Sequence, residues 1–164
     1  MKDYLKYAGI LLGLILLQKT VVGFIDVTEF QITPDLVMLG LVYYGIKKGK
    51  IEGSIAGFVS GLILDIFSFS FLGLMALSKT AAGFAAGFFH DEQKLERNLN
   101  SYIFVLFVSI CSVINNFIYY TFYFQGTNLT VPDILLRYVL PTTVYTALFS
   151  VIPVIFARKR RFTR

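Results

Sequence analysis

The sequence has very few of the residues on which most soluble protein chemistry depends. It contains no tryptophan, one cysteine and one histidine, and charged residues make up only 15% of its 164 positions. The single cysteine, Cys111, cannot form an intramolecular disulfide, which excludes a disulfide scaffold. The single histidine, His90, stands beside Asp91 and Glu92 and is typical of a polar linker. Metal chemistry therefore has little support.

Nucleotide and nucleic-acid binding are also disfavoured. The glycines recur every fourth residue inside apolar runs, instead of clustering between a strand and a helix ahead of a lysine as in phosphate-binding loops. The basic segment RKRRFTR directly follows an apolar run, where such a segment is typical of a topology signal with affinity for anionic membrane lipid. We predict no enzyme activity, catalytic residue, cofactor, metal site or nucleic-acid partner.

What is abundant is apolar sequence. Hydrophobic residues make up 56% of the chain and the mean hydropathy is +0.70, whereas soluble domains are about 45–50% apolar and about 25% charged. A membrane-spanning helix needs about 20 residues. The chain is predicted to be a single all-α integral membrane domain with six transmembrane helices, and a five-span arrangement is the alternative. The predicted spans are about 4–23, 32–46, 51–67, 71–89, 99–124 and 134–157.

Basic residues predict the orientation of these spans. Twelve of the fifteen lysines and arginines lie at the two termini and in two alternate connections, around 47–50 and 94–97. The other connections, 24–31, 68–71 and 124–133, contain none. By the positive-inside rule both termini are expected on the cytoplasmic side.

Glycines at steps of four predict close helix packing in the third and fourth spans. Gly53, Gly57 and Gly61 share one helical stripe that ends in Asp65. Small residues let membrane helices approach closely, so these stripes are candidate packing or partner faces. Asp65 is predicted to have a polar or basic partner such as Lys19 or Lys79. In the fourth span, Lys79, Gly83 and Gly87 form a second stripe.

Lys79 is the charge that a membrane accommodates least easily. It lies about 12 Å into the fourth span, where an unpaired lysine costs at least about 2.5–3.5 kcal/mol. The candidate partners are Asn115 and Asn116 in span five, Ser60 and Asp65. Structural pairing and ligand binding are both open for this polar network, which includes Lys19 near the outer end of span one.

The segment from Thr33 to Leu77 contains an ordered series of motifs. It begins with TPD, in which Thr33 is expected as the helix N-cap, Pro34 as the first helical residue and Asp35 as the acid at the helix amino end. The basic loop YYGIKKGK, the glycine-spaced helix ending in Asp65, and a turn leading into GLMAL at Gly73 follow in this order. In this order of motifs, the segment resembles the MreD family of rod shape-determining membrane proteins.

The resemblance implies a non-enzymatic scaffold of the cell-wall elongation complex in the bacterial cytoplasmic membrane. Such a subunit would bind MreC and, with it, MreB, the polymerase RodA and a class B penicillin-binding protein, supporting peptidoglycan synthesis and cell shape. The family fold resembles the six-helix substrate-binding S subunit of energy-coupling-factor transporters, so binding of a vitamin or metabolite is the alternative function. A binder is expected to enclose a polar pocket in its outer half. A scaffold is expected to have a filled interior and an apolar external groove.

Overall fold

The computed structural model describes residues 2–21, 34–68, 71–99 and 101–162, so the predicted outer connection 24–31 lies outside the described part of the chain. Every regular element in these ranges is helical, which confirms the all-α prediction. The helices are α1 (Lys2–Val21), α2 (Leu36–Lys48), α3 (Lys50–Ser68), α4 (Leu74–Gly87), α5 (Leu95–Leu99), α6 (Ile103–Tyr123), α7 (Val131–Ile134) and α8 (Leu140–Phe162), with a π-helical segment, Leu135–Val139, between α7 and α8.

The described helices differ in whether they are long enough to cross a membrane. Three stretches combine sufficient length with sufficient hydropathy: α3, α6 and the continuous stretch Val131–Ile155. Helix α1 contributes a shorter apolar stretch, Gly9–Thr20. Helices α2 and α4 have 13 and 14 residues, which corresponds to about 20 Å each against a hydrocarbon thickness of about 30 Å. The six-span count and the transporter-like arrangement stay predictions.

Helix α2 lies at the centre of the protein. It is apolar on all sides, as expected of a buried helix, and contacts α1, α3, α4, α6 and α8. Its fully buried side chains Met38, Leu41 and Val42 pack in one cluster with residues from α4 and α6, including Ala82 and Val108. Helix α2 therefore forms the centre of the described bundle.

A single residue, Gly49, connects α2 to α3. Its φ of +94° is in the left-handed region, which glycine adopts without the steric cost of a Cβ atom. The Gly49 N–H donates to the carbonyl oxygen of Gly45 at 2.8 Å and closes the last turn of α2. The chain therefore reverses within one residue, and α3 starts next to the end of α2.

The last membrane helix begins with a capping box and a local change of helical pitch. At the start of α7, the Thr130 hydroxyl donates to the Asp133 carboxylate, which also accepts from the Thr130 backbone N–H at 3.3 Å. The π-helical segment comes just before Pro141, which has no N–H to donate to the preceding turn. The altered hydrogen bonding lets the helix continue past this proline.

The outer faces of the helices are apolar and exposed. On α8, Leu140, Val144, Leu148 and Ile152 follow one another at steps of four, and each exposes at least 40% of its surface. A contiguous apolar surface of this kind is unusual on a soluble monomer and is typical of contact with lipid or another protein.

Candidate functional site

A buried ion pair joins the starts of two central helices. The ammonium of Lys79, in α4, contacts the carboxylate of Asp35, at the amino end of α2. The two residues expose only 3% and 9% of their surfaces. Each charge is expensive to bury alone and is tolerated because the other lies beside it.

Asp35 has a second role as the N-cap of α2. Its Oδ1 accepts a hydrogen bond from the Met38 N–H at 3.0 Å, which satisfies one of the free donors of the first turn. The sequence prediction that Thr33 caps this helix and Pro34 starts it was wrong, because Asp35 is the cap and the helix starts at Leu36. Thr33 lies outside the described residues, and Pro34 is fully buried just before the cap.

Helix α8 also contacts this site. The Asp35 backbone N–H donates to the Thr146 hydroxyl at 3.2 Å, and that hydroxyl donates to the Thr142 carbonyl at 2.9 Å. Helices α2, α4 and α8 therefore meet at one polar point. Thr146 was missed by the sequence analysis, although Thr142, Thr146 and Ser150 form a polar stripe at steps of four in an apolar run.

The partner of Lys79 is not one that the sequence suggested. Asn115, Asn116, Ser60 and Asp65 were the candidates, and the structure places Asp35 there instead. The depth of Lys79 explains the difference. Helix α4 starts at Leu74, three residues later than predicted, so Lys79 is about 7–8 Å from the start of the helix and level with the start of α2.

Asp65 caps the following helix with its side chain. Its carboxylate, 1% exposed, accepts backbone N–H bonds from Gly73 at 2.9 Å, Met75 at 3.0 Å and Ala76 at 3.1 Å. These donors belong to the free first turn of α4, where the helix dipole also favours a negative charge. Gly73, at φ +99°, makes the sharp entry into α4.

Asp65 therefore has polar partners, as predicted, but they are backbone N–H groups and neither of the suggested lysines. Lys79 contacts Asp35, and Lys19 donates to the Ser68 hydroxyl at 2.6 Å. Backbone donors could replace a cation because three of them converge on one carboxylate. The sequence located the acid at the end of α3 but did not show that the next helix would start directly beside it.

Glycines form the contact between α3 and α4. A Cβ atom added at Gly57 would lie 2.7 Å from the Lys79 carbonyl carbon, and one at Gly61 would lie 2.7 Å from the Ala76 nitrogen. Gly53 faces the backbone of Gly83 in the same way. Gly87 faces the start of α3, where its added Cβ would lie 2.7 Å from the Gly49 carbonyl carbon. Both glycine stripes are thus in contact within the chain, which leaves no room for a partner helix between them.

Asn115 and Asn116 form a second polar cluster between α6 and α8, separate from the ion pair. The Asn116 amide donates to the hydroxyls of Ser112 and Thr143, each at 3.2 Å, and its oxygen accepts from the Asn115 amide at 3.1 Å. Among the described side chains, the Asn115 Oδ1 is buried without a hydrogen-bond partner. Buried amides that bond across helices hold α6 against α8.

An apolar groove of about 520 Å³ lies on the outside of the bundle. Helices α1, α2 and α8 form its sides through residues that include Leu14, Leu39 and Ile152. Two tyrosines, Tyr7 and Tyr43, lie at the end where α1 begins and α2 ends. The groove is neither enclosed nor lined mainly by polar groups.

The linker around His90 has structural contacts. The His90 Nδ1 lies 2.7 Å from the Ile46 carbonyl oxygen, and Asp91 forms an ion pair with Lys94 at 3.2 Å. The hydrogen bond from Lys94 lowers the pKa of the exposed Asp91 carboxyl. Within the described ranges, no group of three or more histidine, cysteine and acidic residues could hold a metal ion.

Comparison with models of known protein families gives one assignment. Residues 6–159 match the model of MreD, the rod shape-determining protein. The chain belongs to the MreD family. No curated protein and no solved structure matches it.

Membership of the MreD family gives the protein a role in determining rod shape in association with the shape-determining complex. Together with the long apolar helices, it also identifies a membrane protein. The match covers nearly the whole chain, well beyond the segment on which the sequence resemblance rested. In this MreD chain, Asp35 and Asp65, the two aspartates within that segment, both cap helices and both join α4 to a neighbouring helix.

Proposed function

We propose that this protein is a non-enzymatic membrane scaffold that binds MreC and holds an elongation complex together in the bacterial cytoplasmic membrane. In that complex it would act with MreB, RodA and a class B penicillin-binding protein to support peptidoglycan synthesis. The proposal extends the role in rod shape that family membership provides.

The buried, apolar position of α2 at the centre of the bundle is the observation that supports this proposal. Helix α2 occupies the axis, with Val37, Met38 and Leu41 fully buried. The polar groups at its start, Asp35 and Lys79, bind each other. A small-molecule binder would need an enclosed pocket with polar groups free to orient a ligand. The described bundle has its large groove outside and lined by apolar side chains instead.

The proposed topology has six spans with both termini in the cytoplasm. Basic residues at alternate connections support it through the positive-inside rule. Helices α2 and α4 are too short to span a bilayer of ordinary thickness alone. Their central positions, shielded by longer helices, make the short spans compatible with this topology.

The surface for MreC is proposed on exposed apolar side chains of the outer half, because the glycine stripes are used within the chain. Phe117 on α6 and Leu140 on α8 lie in that half under the proposed topology and expose 39% and 40% of their surfaces. Aromatic side chains such as Phe117 are enriched at protein interfaces.

Binding of a vitamin or metabolite remains the second candidate because of one observation. The Asn115 Oδ1 is a buried acceptor with no hydrogen-bond partner among the described residues, and unsatisfied acceptors are rare in folded interiors. A ligand could supply the missing donor. In that case the protein would act as the substrate-binding subunit of an energy-coupling-factor transporter.

Photo-crosslinking combined with affinity purification separates the two functions. A photoreactive residue would replace Phe117 in the outer half of α6 or, as the control, the more exposed Leu106 in the inner half. Under the scaffold proposal MreC crosslinks to position 117 but not to position 106, and it co-purifies without a stoichiometric metabolite. Recovery of an ATPase module or a bound metabolite without elongation proteins would refute the scaffold proposal.

A further inference from the structure

The external groove has the dimensions of a lipid site. Along α2 its lining extends from Leu36 to Tyr44, a length of about 12 Å at 1.5 Å per residue. This length is close to the hydrocarbon thickness of one leaflet, which is about 15 Å. Dividing the 520 Å³ by this length gives a mean cross-section of about 43 Å².

This cross-section distinguishes between two possible occupants. An α-helix with its side chains is about 10–12 Å wide and needs about 80–110 Å², so a partner helix would lie over the groove and insert only side chains into it. Non-bonded carbon atoms lie about 4 Å apart, so an extended acyl chain needs about 15–20 Å². Two acyl chains side by side fill the groove, as in a diacyl lipid.

A positive charge lies at one end of the groove. The Lys47 ammonium is 5.4 Å from the ring centroid of Tyr7 and 5.9 Å from that of Tyr43. Both tyrosines line the groove, and tyrosines commonly lie at the level of lipid headgroups. By sequence, Lys48 and Lys50 follow directly.

Combining these observations, we propose that the groove between α1, α2 and α8 binds one anionic phospholipid, with both acyl chains along α2 and the phosphate against Lys47. The positive-inside rule assigns the Lys47 end to the cytoplasmic leaflet, where anionic lipids are found. The lipid would complete the surface on that side of the bundle and fix the position of α1 relative to α8.

Native mass spectrometry of the full chain released from nanodiscs tests this proposal. The nanodiscs would contain equal amounts of phosphatidylglycerol and phosphatidylcholine with identical acyl chains. The wild type is expected to retain one phosphatidylglycerol in preference to phosphatidylcholine. Equal retention of the two lipids, or a protein dimer without bound lipid, would overturn the proposal.

Two variants test the headgroup contact. Lys47→Gln should lower the preference for phosphatidylglycerol about fivefold, the effect expected of one lysine at an anionic surface. Lys94→Gln removes the same charge outside the groove, where Lys94 pairs with Asp91, and should leave the preference unchanged. Equal effects of the two variants would refute a specific phosphate contact.

Two further variants test the acyl-chain contact. Ile152→Trp places a bulky ring inside the groove and should abolish retention of both lipids. Leu148→Trp makes a similar change one turn away on the exposed face of α8, outside the lining, and should retain lipid like the wild type. Lipid retention by Ile152→Trp equal to that of Leu148→Trp would place the bound lipid elsewhere and overturn the proposal. Because Ile152 and Leu148 expose 48% and 62% of their surfaces, neither change disturbs the core.

Discussion

Replacing Gly57 with alanine tests whether backbone contact between α3 and α4 holds the bundle together. The new Cβ would lie 2.7 Å from the Lys79 carbonyl carbon and 3.0 Å from the Thr80 nitrogen. Carbon atoms in good contact are about 3.5–4.0 Å apart, so the helices must separate by about 1 Å. A gap of this size forfeits about a quarter to a half of the dispersion energy of each facing contact.

The expected loss of stability follows from two opposing terms. Overpacking against a rigid backbone costs about 1–3 kcal/mol, and this contact lies at the upper end because no flexible side chain can move away. Alanine returns about 1 kcal/mol through its higher helix propensity. The net loss is therefore about 2 kcal/mol, or about 4–8 °C in melting temperature for a protein of this size.

The single cysteine provides the assay. Cys111 is fully buried in the core, so a thiol-reactive fluorescent dye reports unfolding in detergent without any added label. Gly13→Ala is the matched control, since no atom lies within 4 Å of its added Cβ. The control should melt at or slightly above the wild-type temperature. A Gly57→Ala variant that melts with the control would refute close backbone packing at this contact.

Three further predictions use the same melting assay. Asp65→Asn removes the charge that accepts three backbone hydrogen bonds and should lower the free energy of unfolding by about 1.5–3 kcal/mol. Under the scaffold proposal this variant should also lose MreC co-purification. An unchanged melting temperature would contradict the role of Asp65 as a helix cap. Lys79→Met leaves Asp35 buried without its cation and should lower the free energy of unfolding by about 3–5 kcal/mol. The double variant Asp35→Asn/Lys79→Met should recover most of this loss. Strictly additive effects of the two substitutions would exclude the pair. Asn116→Ala removes hydrogen bonds to two hydroxyls and should lower the free energy of unfolding by about 1–3 kcal/mol, more than Asn115→Ala does. A larger loss for Asn115→Ala than for Asn116→Ala would argue against the cluster as described.

The sequence predicted the all-α class and the family but not the contacts of the charged groups. Composition alone required an all-α membrane protein, and the order of motifs around Asp35 and Asp65 indicated the family. The need for a partner at Lys79 also followed from the cost of burying a charge. The sequence did not reveal the identity of that partner, because the identity depends on which helices start at the same level in the bundle. A difference of three residues at the start of α4 was enough to change the partner.

The Asp35–Lys79 pair also has a consequence for how the protein enters the membrane during synthesis. Helix α4 is short and carries a lysine, so it is a poor substrate for insertion as an isolated segment. Asp35 precedes Lys79 by 44 residues, so the carboxylate has already left the ribosome when the lysine emerges. Insertion of α4 should therefore depend on α2, and truncated chains lacking the segment around Asp35 should leave α4 outside the bilayer in a glycosylation-mapping assay. Equal insertion with and without α2 would show that the pair forms only after all helices are in place.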